Sequence, residues 1–317
     1  MASVKDIRRR ISSVKSTQQI TKAMKMVSAA KLRRAQDLIT NARPFAEKID
    51  QLSGRLMQDL ASKTEGMKTE DAEHFLLSLH PLLRKATGEN PKVALVVVSS
   101  DKGLCGAYNT NAFKYAWKRY QEIRQETDQP PELFFVGQKS FSNFRKREAK
   151  GHWYQEFWQG SFSRIKSNEV ADQMIEDFKS GKFDRVEIVY TEFVSALTQN
   201  QTHRVILPMA INANELTQTS GAKDEQKEDD ALPFLYKPGT KELLQRLLPA
   251  QVQTQLFRCF ADSLASEFGS RMTSMDNATR NASDMIGKLT LQANRLRQAS
   301  ITTELTEIVS GAEALNG

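Results

Sequence analysis

Two tracts of helix-forming residues, one at each end of the chain, limit the fold more than any other feature. From about residue 4 to 60 there is no glycine before Gly54, and Ala, Lys, Arg, Gln, Met and Leu predominate. Pro44 is the only expected kink. Such a helix is about 85 Å long at 1.5 Å per residue, too long for one small domain to cover. From about Pro249 the composition favours helix again, with Gly269 and Gly287 the only glycines before Gly311. This second helix runs for about 90 Å.

The middle of the chain changes period. The β-branched run Val93–Ser99 suits a strand buried on both faces. Helix is expected over residues 111–126, strands at Glu132–Val136 and Gly151–Trp158, and a helix over Ser167–Lys179 with Val170, Met174, Ile175 and Phe178 inward. A further strand, Phe183–Phe193, pairs with His203–Leu207 after the polar turn TQNQT. Residues 62–89 read as a loop or short helix, and the acid-rich stretch 214–230 as an exposed loop. Alternating strands and helices define a Rossmann-like α/β domain. The expected organisation is therefore mixed α+β and α/β. It has an N-terminal coiled-coil helix (1–60), a connecting segment (61–91), a central α/β domain (92–248) and a C-terminal coiled-coil helix (249–317). Both long helices attach to one module, so they pack as an antiparallel coiled coil.

One face of the C-terminal helix collects Leu264, Phe268, Met272, Met275, Ala282, Ile286, Leu289, Ala293 and Leu296. Steps of three, four and seven make this a seam. Continued, the same face reads Ser300, Thr303, Glu304 and Glu307, so the seam stops at Leu296. A narrower stripe, Ile301, Leu305, Ile308 and Ala312, starts about 100° away. It is poor material for a private core, and its burial is expected to come from another protein. On the first helix, Ile7, Ile11 and Val14 form one stripe and Ile20, Met24 and Val27 another. We read Met24 and Val27 as coiled-coil core reached through a slip in register.

The net charge is +7, and its placement is uneven. Ten cations between Lys5 and Arg34 face a single acid, Asp6, so this arm alone carries +9. A nucleic-acid-binding or adaptor coiled coil is one reading of such an arm. Against it, the cations spread nearly all round the helix, and no aromatic precedes Phe45 to stack on a base. The longest apolar run, VALVVV, is too short to span a bilayer. The start, MASVKDIRRR, lacks the apolar stretch of a secretory signal, and Cys105 and Cys259 form no disulfide framework. A reducing, intracellular compartment is the expectation.

No catalytic constellation is found. His74, His80, His152 and His203 are scattered, without metal-ligand spacing. The segment SSDKGLCGAYN at 99–109 follows a strand and precedes a helix, but it lacks the GK[ST] ending of a phosphate loop. Gly103 and Gly106 are expected to permit a tight turn, and Cys105 to be a small buried thiol. No cofactor and no metal are expected.

Three stretches, KDIRRRISSVKSTQQITKAMKMVSAAKLRRAQ, VVSSDKGLCGAYN and RQASITTELTEIVSGA, closely resemble the gamma subunit of F-type ATP synthases. The resemblance implies a central rotor shaft inside a ring of three alpha and three beta subunits. Its α/β domain would sit against the epsilon subunit and the membrane c-ring. It also implies no catalysis by this chain itself, since ATP forms on the beta subunits. By match to the family's motifs, Met24 and Lys25 face an acidic beta loop, and Arg297, Gln298, Thr302 and Glu304 contact another. No mitochondrial-type presequence or chloroplast-type cysteine insertion is seen, so the expectation is a bacterial protein, peripheral at the cytoplasmic face of the plasma membrane.

Overall fold

The computed structural model describes residues 4–64, 66–84, 90–147, 149–209 and 239–316. Helix α1 (Val4–Thr64) is followed by α2 (Thr69–Leu79) and a short 3-10 turn at Pro81–Leu83. The module then runs β1 (Val93–Val98), α3 (Tyr108–Thr127), β2 (Glu132–Val136), α4 (Gln138–Arg145), β3 (Gly151–Trp153), α5 (Arg164–Lys179), β4 (Arg185–Phe193) and β5 (Gln199–Leu207). Helix α6 (Thr240–Asn316) closes the chain. Its 77 residues make a rod of about 115 Å.

The five strands form one sheet in the order β3-β2-β1-β4-β5, parallel except for the β4–β5 hairpin. The central strand β1 is buried along its whole length. Ala94, Val96 and Val98 face a core shared with α5, Leu56, Met57 and Leu60 of α1, and Leu256 and Phe260 of α6. Val93, Leu95 and Val97 face α3 and α4 through Ala116, Ile123 and Phe144. A run of six apolar residues is what a strand with two covered faces requires.

The two long helices are antiparallel. Thr279 Oγ1 lies 2.8 Å from Thr21 Oγ1, and Lys25 Nζ lies 2.6 Å from Asp276 Oδ1. Rising numbers on α1 thus meet falling numbers on α6. The buried residues of α1 include Ile7, Thr21, Ser28, Leu32, Ala35, Ile49, Ser53, Leu56 and Leu60. Successive intervals among them are multiples of seven or heptad steps of three or four, and Met57 alone of the buried residues of α1 falls off this pattern, so one seam runs the length of the helix.

That seam corrects the expected slip. Ile20 and Val27 are each 57 % exposed, and Met24 is half-buried. The seam passes instead through Thr21, Lys25 and Ser28, which hydrogen bonds and small size suit to the interface. An apolar-only reading follows the wrong residues there.

Other differences are local. The third strand ends at Trp153, because the aromatics after it turn away and fill the space beside α6. Phe157 packs edge-on against Phe260 at 4.9 Å, and Trp158 Nε1 donates to Ser99 O at 2.8 Å. The TQNQT segment lies largely within β5, and the hairpin turn comes earlier, where Ser195 N donates to Thr198 O at 2.9 Å. Helix α4 was not expected, and α6 begins at Thr240, ahead of Pro249. The early start buries Leu244, Leu247 and Leu248. Between 62 and 89, Leu76, Leu82 and Leu83 enter the main core. The acid-rich stretch 214–230 lies outside the described residues.

One buried carboxyl makes the junction of shaft and module sensitive to pH. Asp262 on α6 is 8 % exposed, and burial pushes its pKa up to about 7. Glu192 of β4 opposes its ionisation, while Arg258 of α6, Arg204 of β5 and Arg43 of α1 favour it. The folded value exceeds the unfolded one, about 3.9. This group therefore stabilises fully below about pH 4, and its contribution falls as pH rises to about 7. Asp262→Asn is expected to flatten that decline and raise stability at pH 8, by at most about 4 kcal/mol. Chemical denaturation at pH 5 and pH 8 checks it. An unchanged pH slope in the variant would contradict this account.

Candidate functional site: the exposed tip and the basic belt

The seam on α6 stays buried or half-buried through Met275, Ala282, Ile286, Leu289, Ala293 and Leu296. From Arg297 to Ala312 every residue is exposed. The cause is geometric. With Thr21 opposite Thr279, α1 runs out near Val4, which lies level with about residue 296. Among the described residues, the last twenty of α6 project alone for about 30 Å.

At 100° per residue, Ile301, Leu305, Ile308, Val309 and Ala312 share one side of this projection, turned away from the seam. Arg297 and Glu304 border that stripe on one edge and Thr302 on the other, with Gln298 inside it. Ile308 is 67 % exposed and Val309 61 %. The tip threonines are satisfied locally. Thr302 Oγ1 donates to Gln298 O at 3.0 Å, Thr303 Oγ1 to Ala299 O at 3.0 Å, and Thr306 Oγ1 to Thr302 O at 2.8 Å. A neighbour can therefore slide over these groups without stranding an unpaired donor.

Met24 and Lys25 sit elsewhere. Asp276, the partner of Lys25, is 21 residues before Arg297, which puts about 30 Å of rod between the two groups. The structure brings Arg297, Gln298, Thr302 and Glu304 together, and Met24 with Lys25, as two separate belts. Lys25 is already engaged. Its ammonium hydrogen-bonds Asp276, and that contact, with Arg280 at 2.8 Å on the same carboxylate, holds the Asp276 carboxyl below the usual range. Sequence reasoning missed Asp276. The signal was available in an acid opposite a lysine in an antiparallel alignment, but only once the register was known. The other cations of the arm that remain on the surface include Lys22, Arg33 and Arg34.

The strand-to-helix turn is occupied by its own contacts. Asn109 Oδ1 accepts from Ser100 N at 3.1 Å, and Asn109 Nδ2 donates to Cys105 Sγ at 3.1 Å. Leu104 (φ 64°) and Gly106 (φ 56°) take left-handed conformations that make the turn tight. Cys105 is 2 % exposed and burial pushes its thiol pKa up, the reverse of what a nucleophile needs. Among the described residues no group of acids, cysteines and histidines is placed to hold a metal.

A long antiparallel shaft, carried on a parallel-sheet module and ending in an unburied tip, defines a subunit that works by contact with other chains. The family model described as ATP synthase matches residues 3–315. The chain is 40% identical over its full length, and the relative's, to the ATP synthase gamma chain of Trichlorobacter lovleyi. It is 41% identical to that of Geobacter metallireducens with the same coverage. Among solved structures, a chain of the Euglena gracilis mitochondrial ATP synthase (OSCP/F1/c-ring) aligns with a TM-score of 0.60 at 20% identity, covering 98% of this chain and 94% of that one. A chain of the Tetrahymena thermophila central stalk and c-ring aligns at 0.55 and 23%, covering 82% and 99%. The chain belongs to the ATP synthase gamma-chain family, the central-stalk rotor subunit of that machine, which is not an enzyme on its own.

Proposed function

We propose that this chain is the rotating shaft inside a ring of three alpha and three beta subunits, turned by ion flow through a membrane c-ring. The shaft helices (1–60 and 249–317) reach into the ring. The module (92–248), joined by the connecting segment (61–91), stands at the foot against the epsilon subunit and the c-ring. The assembly is peripheral at the cytoplasmic face of a bacterial plasma membrane. No described helix is long and apolar enough to cross a membrane.

The observation that carries this reading is the bare tip: a complete seam to Leu296, then exposed helix from Arg297 to Ala312. One asymmetric rod in a threefold ring makes different contacts with three identical neighbours at any instant. Those differential contacts shift each neighbour's conformational equilibrium in turn. A shaft that must turn needs orientations of similar energy, and short-range, locally satisfied side chains provide them. Arg297, Gln298, Thr302 and Glu304 touch a beta-subunit loop at the tip. Met24 and Lys25 meet an acidic beta loop lower down, where exposed ion pairs each contribute about 0.2–1 kcal/mol and release easily.

Reconstitution tests the proposal. The purified chain alone is expected to show no ATPase activity. Added to alpha and beta subunits and a membrane sector in vesicles, it should confer ATP synthesis that stops when the ion gradient is collapsed. Synthesis that persists without the chain, or a chain that fails to co-purify with alpha and beta subunits, would sink it.

A further inference from the structure

At residues 269–274, helix α6 is held from two sides as it leaves the module. On one side Arg271 spreads its guanidinium over the strand-to-helix turn. Its Nε and Nη2 donate to Gly103 O at 3.3 and 3.1 Å, and Nη2 also reaches Lys102 O at 3.3 Å. Its Nη1 donates to Glu267 Oε1 at 2.6 Å. Both charged residues are nearly enclosed, Arg271 at 8 % exposure and Glu267 at 7 %. On the other side stands the β4–β5 hairpin tip, where Thr273 Oγ1 donates to Ala196 O at 3.2 Å and Ser270 Oγ donates to Gln199 Oε1. Further along α6, the described hydrogen bonds and ion pairs to other elements go to α1 alone, at Thr21 and Lys25.

We infer that the Glu267–Arg271 pair and the 102–106 turn form the joint through which torque passes between the α/β module and the shaft. The inference rests on the rotor reading and adds where the load is carried. Lower down, non-directional apolar contacts and single hydrogen bonds, such as those of Ser263 Oγ with Thr191 N at 3.1 Å and Ser266 Oγ with Thr191 O at 3.2 Å, hold the helix in place. Hydrogen bonds weaken steeply when bent, so a guanidinium fork fixed on two carbonyls resists twisting of the helix about its axis. Arginine suits this role because its planar fork fixes the directions of its donors, whereas an ammonium turns freely at the end of a flexible stem. The turn is stiff enough to react against the load. Leu104 and Gly106 fix its shape, and a Cβ on Gly106 would stand 3.2 Å from Ser274 Oγ.

The test uses the assembled complex. Removing Arg271 alone would strand a buried carboxylate, so the variant is Glu267→Gln together with Arg271→Met. The ring is immobilised, a probe is fixed to the module, and the probe's angular fluctuation is measured in a stalled state. Beside the packing of Leu32 and Ala35 of α1, two loops hold the helix at this level in a close-packed interior that transmits strain. Losing one is expected to raise the angular variance by about twofold, with ATP hydrolysis largely kept and ATP synthesis reduced. Wild-type variance in the assembled variant would overturn the joint. Should the double variant fail to assemble, Gly106→Ala displaces the turn without touching a charge, and it must raise the variance as well. Arg271→Lys, which keeps the charge but loses the fork, is expected to restore assembly and leave the variance high. A wild-type complex that synthesises ATP without turning would overturn the rotor reading itself, a result distinct from normal rotation with unchanged stiffness in the variant.

Discussion

Deleting residues 301–317 is expected to leave the isolated chain folded and to lower coupled ATP synthesis in the reconstituted complex by about tenfold or more, equivalent to about 1.4 kcal/mol or more. The two halves of this expectation have separate causes. Ile301, Leu305, Ile308 and Val309 are about half to two-thirds exposed, so little apolar area is lost from this chain's own core. Changes at such positions alter stability by about 0.5 kcal/mol or less, which is a shift of about 2 °C or less in melting temperature. The function lost is the contact that a neighbour makes with the stripe and its polar border. A deletion that unfolds the module would show the tip to be core after all. One that leaves synthesis unchanged would show that nothing grips it.

Phe260→Ala is expected to have the opposite profile. Phe260 is fully buried where α6 crosses the sheet, edge-on to Phe157 at 4.9 Å and near Phe162 at 6.5 Å. Phe162 in turn stacks on Phe257 at 5.3 Å. Truncating a buried phenylalanine costs about 3–5 kcal/mol, since the cavity relaxes only in part. Equilibrium unfolding of the isolated chain should show this loss. Leu305→Ala, at the tip, should stay within about 0.5 kcal/mol of the parent. A loss below about 1 kcal/mol for Phe260→Ala would mean that the aromatic cluster does not fasten shaft to module.

Much of the architecture is legible in the sequence because its signals are long. The glycine-free tract before Gly54, the VALVVV strand and the nine-residue seam ending at Leu296 each persist far enough to outweigh local noise. The end of that seam located the exposed tip, since a stripe that stops marks where its partner stops. What was not legible depended on contacts between distant segments. Thr21 belongs to the seam because Thr279 faces it, and Ser28 because it is buried there, whereas Ile20 and Val27 each stay 57 % exposed.

The same reason hides other features. Helix α4 is short and its buried Phe144 reads equally well as strand. The aromatic run after Trp153 has strand composition, yet it is drawn off the sheet toward Phe257 and Phe260. Nothing local in the sequence marks Arg271, because the carbonyls that accept from it lie 168 and 169 residues away.

The six candidate contact positions of the shaft come from resemblance alone. Composition marks Lys5–Arg34 as basic but cannot say that Lys25 is engaged by Asp276. Separating Met24 and Lys25 from Arg297, Gln298, Thr302 and Glu304 by about 30 Å of rod needed the antiparallel register as well.

Thiol labelling at the tip measures the central claim most directly. Both native cysteines are buried, so a single cysteine at position 301, made by Ile301→Cys, is the only readily reactive thiol among the described residues. In the isolated chain it should react at the rate of a free, exposed thiol. On assembly with alpha and beta subunits that rate should fall by about tenfold, as a neighbour covers the stripe. Slow labelling in the isolated chain, or an unchanged rate on assembly, would contradict a shaft whose tip is buried only by its partners.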